Sequence, residues 1–69
     1  MDTHAVSRIW KLVMQLPAKY REVLILESHY HLTRKEMSEL LNIAEGTIKS
    51  RLHRARARME ELLKGEDMP

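Results

Sequence analysis

Apolar residues recur at spacings of three and four along most of the chain, a pattern that predicts helices and no strands. Val6, Ile9, Trp10, Val13 and Met14 share one face of a first helix expected over about residues 3–15. Leu16-Pro17 interrupts it, because the residue before a proline is pushed out of the helical region. Pro17 suits the first position of a second helix, where its missing N–H costs nothing. That helix is expected over residues 17–30, with Tyr20, Val23, Leu24, Glu27 and Tyr30/His31 along its inner side and edge. The unbroken apolar run at residues 23–26 makes it the central one.

Thr33-Arg34-Lys35-Glu36 reads as a capping box, in which hydroxyl and carboxylate each accept from the other residue's backbone N–H. A short helix to Leu41 follows, with Met37, Leu40 and Leu41 inward. Asn42 suits the left-handed conformation that ends a helix, and Ile43 then drops into the core as a plug. The last helix is expected over residues 45–64, with Gly65 as its stop and residues 66–69 as a frayed tail. Glu45 in its first turn and Lys64 in its last both suit the helix dipole. The whole chain, residues 1–69, is therefore predicted to be one all-α domain, a small four-helix unit ending in a helix-turn-helix.

On a wheel at about 100° per residue, Leu52, Ala55, Met59, Leu62 and Leu63 fall within about 60° of Ile48, a continuous apolar stripe. Opposite it lie Gly46, Ser50, His53 and Ala57, which are small or polar. Lys49 and Arg56 flank them on one side; Thr47, Arg51, Arg54 and Arg58 flank them on the other. A low, hydrogen-bonding centre between two cationic rails matches a B-DNA major groove, with bases at its floor and phosphates along both walls. A short capped helix, a tight turn and a longer basic helix together make a DNA-binding helix-turn-helix.

Composition narrows the alternatives. A chain of 69 residues buries only about 60% of its unfolded surface, too little for a deep catalytic cleft. Net charge is only +2, yet residues 46–59 carry Lys49, Arg51, Arg54, Arg56 and Arg58 and no acid, which suggests a polyanionic partner. The absence of cysteine excludes disulfides, thiolate-ligated zinc and thiol nucleophiles, and fits a reducing compartment. No signal peptide and no apolar run near the ~20 residues of a membrane span is visible, so no membrane partner is expected.

Residues 32–56 resemble the carboxy-terminal region 4 of bacterial sigma factors, the extracytoplasmic-function group above all. Gly46-Thr47-Ile48-Lys49-Ser50-Arg51-Leu52 followed by Arg54-Ala55-Arg56 is the most distinctive part. Leu16-Pro17 with Tyr20-Arg21-Glu22-Val23 matches the start of the family's preceding helix, so the likeness spans roughly residues 14–63. The resemblance implies a promoter-recognition domain that sets its last helix into the major groove of the upstream (−35) element. It also implies docking on the β flap of core RNA polymerase through an apolar surface, in the bacterial cytoplasm. Carried over by position, base and phosphate contacts fall on Gly46, Thr47, Lys49, Ser50, His53 and Arg54, with Arg34 a phosphate contact at the start of the capped helix. An anti-sigma factor covering the same surfaces is a further partner that the family allows, and a monomer is expected. Three positions depart from the family: His31 and Asn42 stand where glycine is usual, and Glu45 where an apolar residue is common. Nothing resembles region 2, so an excised domain or half of a split system is expected.

Competing chemistry is thin. His29 and His31 point to different sides of a helix, and no carboxylate cluster joins them to His4 or His53 as a metal site. Glu36/Glu39 and Glu60/Glu61 serve capping and solvated faces better than catalysis; no enzyme, cofactor or metal is expected. Trp10, Met14, Met37 and Met59 are expected in the core, Tyr20 and Tyr30 at its edge. His53 is either an exposed spacer or a groove contact that makes binding pH-sensitive. Two other functions stay open: the helix-turn-helix of another kind of regulator, and an interaction module whose basic helix meets an acidic protein.

Overall fold

The computed structural model describes residues 3–67 and, for side chains, residues 8–65. Four helices follow in order: α1 (Thr3–Met14), α2 (Ala18–Ser28), α3 (Arg34–Leu41) and α4 (Glu45–Asp67). The 23 residues of α4 make a rod of about 35 Å, which sets the long axis of a body measuring 41 × 24 × 15 Å. Helices α2 and α3 pack across its first half, and α1 reaches it further along.

The core is aliphatic. Val23 of α2, Met37 of α3, and Ile48 and Leu52 of α4 are sealed from solvent, and Leu26, Leu32, Leu41 and Ile43 pack around them. Each such side chain contributes about 1.5–3 kcal/mol relative to exposure. Ala55 is also buried, so the α4 stripe faces inward as predicted, with Met59 and Leu62 half-buried where the core thins.

The α3–α4 turn follows the local chemistry. The Thr33 hydroxyl accepts from the Glu36 N–H at 3.1 Å, and the Glu36 carboxylate accepts from the Thr33 N–H at 2.8 Å, so the capping box is complete. Hydrogen bonds from Thr33 to the carboxylate, the one from its backbone N–H foremost and its side chain second, hold the Glu36 carboxyl below its usual range. Asn42 is left-handed at φ 56, and the N–H groups of Asn42 and Ile43 both reach the Ser38 carbonyl. The Ser38 hydroxyl donates to the Ile43 carbonyl, which ties the half-buried plug to α3. His31 also takes a positive φ, 57, which gives the physical reason for glycine at that position.

Several expectations need correction. In α1 the buried residues are Leu12 and Val13, joined by Leu16, whereas Ile9, Trp10 and Met14 are 48%, 40% and 58% exposed. Two bonds hold the bend after α1: the Leu16 N–H bonds the Val13 carbonyl, folding Leu16 underneath, and Arg21 donates to the Met14 carbonyl. Val6 lies outside the described side chains. Pro17 precedes α2 as its cap residue rather than opening it, and α2 ends at Ser28, so Tyr30 falls beyond the helix and is exposed instead of edging the core. Leu40 is exposed as well, because Met37 and Leu41 fill the narrow face that α3 presents to α2 and α4. Leu63 is 40% exposed, past the end of the core. Gly65 does not stop α4: no glycine has a positive φ, and the helix runs through it to Asp67. The expected tail thus begins in helix, and residues 68–69 lie outside the described part.

Candidate nucleic-acid interface

Because Ile48, Leu52 and Ala55 are turned into the core, the opposite edge of α4 must face outward. Gly46, Thr47, Lys49, Ser50, His53, Arg54, Arg56 and Arg58 are all exposed, and Arg51 is half-buried. Arg34, the first residue of α3, is exposed too.

Part of this set is drawn together. Gly46, Thr47, Ser50, Arg51 and Arg54 line a shallow groove of about 340 Å³ whose other wall is Lys19 and Tyr20, from the first turn of α2. The Lys19 Nζ sits 5.1 Å from the centroid of the Tyr20 ring. The phenol of Tyr20 lies below its usual range, chiefly through a hydrogen bond with Arg54; burial opposes this, and the charge of Lys19 adds to it. The lining holds three cations and three hydroxyls and no carboxylate. Arg34, Lys49, His53, Arg56 and Arg58 stand outside this lining.

Arg56 has a different setting. Its guanidinium pairs with the Glu27 carboxylate of α2, although both side chains remain partly open to water. An exposed pair of this kind is worth little to stability, about 0–1 kcal/mol. Electrostatically it offsets part of the charge of that rail.

The charge pattern of the sequence points to the last helix alone and does not single out Lys19 and Tyr20. The usable signal was a cation beside an aromatic residue in the first turn of the helix that packs across it. The sequence also did not foretell an apolar groove of about 380 Å³ between α1, α2 and α4, floored by Val13, Leu24 and Met59 and edged by Ile9, Trp10 and Leu63. Among the described residues no group of three or more His, Cys, Asp or Glu is arranged to hold a metal, and no helix is long and apolar enough to cross a membrane. His4 lies outside the described side chains.

Comparison with known proteins agrees with this geometry. Residues 7–59 match the family described as "Sigma-70, region 4". The chain is 39% identical over 58 residues to the "ECF RNA polymerase sigma factor SigW" of Bacillus subtilis (strain 168), covering 84% of this chain and 31% of that protein. It is 43% identical over 53 residues to the "RNA polymerase sigma factor SigZ" of the same organism, covering 77% of this chain and 30% of that protein. The matched segment thus spans less than a third of either relative. Its helix-turn-helix, basic outward face and matched residues agree, and the chain belongs to the sigma-70 region 4 family, of the extracytoplasmic-function type.

Proposed function

We propose that this domain recognises double-stranded promoter DNA at the upstream (−35) element and docks on core RNA polymerase during transcription initiation. The single observation that carries the reading is the outward edge of α4. It is low at Gly46 and Ser50, basic at both flanks, and opposite a stripe sealed into the core. A helix of about 10–12 Å diameter fits a major groove about 12 Å wide. Gly46, Thr47, Lys49, Ser50, His53 and Arg54 then meet bases and phosphates. Arg51 and Arg58 extend one wall, Arg56 the other, and Arg34 meets a phosphate from α3. The apolar groove between α1, α2 and α4 is the surface offered to polymerase, with the β flap as its partner, and an anti-sigma factor would compete for the same face. In this reading the domain acts as a monomer in the bacterial cytoplasm and performs no catalysis.

The test is titration of labelled duplexes between about 50 and 200 mM salt. About five phosphate contacts give a log–log slope near −4 to −5. Absence of duplex binding at low salt, or a flat salt response, would sink the reading in favour of a protein-interaction module.

A further inference from the structure

The groove beside the reading helix is walled by an element outside the helix-turn-helix. We propose that Lys19 and Tyr20, in the first turn of α2, extend the DNA contact: Lys19 neutralises a backbone phosphate, and Tyr20 is the positioning residue that holds Arg54 toward the same strand. This rests on the reading that α4 enters promoter DNA.

Lys19 and Tyr20 share one groove with Gly46, Thr47 and Ser50, in the first two turns of α4. They therefore stand where the wall of a major groove rises beside that helix. The lining offers cations and hydroxyl donors and no carboxylate, which suits the oxygens of a phosphodiester and repels no part of it. Arg54 lines the groove beside Tyr20, and an arginine confined against a fixed neighbour loses less rotamer freedom on binding than one waving in water. The ring of Tyr20 is half-buried, so it makes a firm anchor, and it carries the ammonium of Lys19 5.1 Å from its centroid. The bland alternative is that Tyr20 only packs at the core edge while Lys19 only solvates the surface. That alternative predicts no change in DNA binding when either group is altered with the fold intact.

The experiment titrates the chain and its variants with a promoter duplex and an unrelated duplex across a salt series, with thermal melting recorded for each. Lys19→Ala is expected to weaken both duplexes by about 3–10-fold and to make the salt slope shallower by about 1, while Lys19→Arg restores both quantities. Tyr20→Phe keeps the ring and removes the oxygen. It is expected to weaken binding about 3-fold beside Arg54 and to have no effect in an Arg54→Ala background, with melting nearly unchanged. If the parent chain binds but Lys19→Ala keeps its affinity and slope, the phosphate contact is overturned. If Tyr20→Phe and Arg54→Ala are additive, the positioning role is overturned. If the parent chain binds no duplex at all, the underlying reading of α4 fails, and the inference with it.

Discussion

Gly46→Ala separates what the fold needs from what a partner needs. Gly46 sits in the first turn of α4 with an ordinary helical backbone, and a Cβ built there meets nothing within 4 Å. Nothing inside the domain therefore asks for glycine. A helical glycine costs roughly 0.5–1 kcal/mol relative to alanine, through the backbone freedom it loses on folding. The substitution should stabilise the domain by about that amount, and for a domain of this size the melting temperature should rise by about 2–8 °C. The lower half of that range is expected, because the first turn frays. Binding should move the other way. If the α4 backbone lies against base edges at residue 46, the added methyl group occupies space already filled by DNA. Overpacking a close contact costs about 1–3 kcal/mol, or a loss of about 5–150-fold in affinity.

The assay pairs thermal melting by circular dichroism with duplex titration on the same samples. Higher stability with weaker binding is the expected result. A lower melting temperature would refute the statement that the space beside Gly46 is open. A higher one with unchanged affinity would show that the backbone at residue 46 stands clear of DNA, and the docking edge assigned to α4 would have to be rotated.

Other outcomes follow from the same structure. Arg54→Ala should weaken promoter binding by roughly 1–3 kcal/mol with little change in melting; unchanged affinity at physiological salt would count against the docking face. Ile48→Asp should abolish the cooperative melt, because it sets a charge in a site with no solvent access; a native circular dichroism spectrum would refute the core assignment. His31→Gly should stabilise the domain by about 1 kcal/mol, since a left-handed residue with a Cβ is strained there; a fall in stability would refute that account. Glu36 has a carboxyl held below its ordinary range, so its contribution is present above the ordinary carboxylate pKa and is lost as pH falls through the lowered value. Glu36→Gln should flatten the acid limb of a stability-against-pH curve, and an unaltered limb would refute the role of the capping box.

Much of the fold was legible because its key signals are local. A capping box needs only Thr33 and Glu36, and a left-handed turn needs only a residue that tolerates it, here Asn42. The stripe through Ile48, Leu52 and Ala55 was legible because α4 is long enough for its phase to be unambiguous. α1 was misread because periodicity offers two overlapping stripes there, and only a tertiary contact chooses between them. The choice fell on Leu12, Val13 and Leu16, which lie at the bend where α1 turns into α2. Gly65 was misread for a related reason: glycine permits a left-handed stop but does not impose one, and α4 runs through it with a helical backbone.

The interface was legible as a face but not as a neighbourhood. A wheel treats the two cationic rails of α4 alike, because it contains no other helix. In three dimensions α2 passes across α4, with Tyr20 lining one groove with Arg54 near one end of α2 and Glu27 pairing with Arg56 near the other. The first partner is neutral and leaves the charge of its arginine intact; the second is an anion and offsets it. Coulomb attraction to a phosphate a few ångströms away therefore favours the Arg54 rail, where Lys19 adds a further charge. The domain should thus hold the two strands of a duplex unequally. A neutral Glu27→Gln substitution tests this by freeing Arg56. Affinity and salt slope should both rise, by about one phosphate contact's worth, in a chain whose melting barely moves. No change in slope would mean that Arg56 already reaches DNA past its carboxylate partner, and the asymmetry between the rails would be refuted.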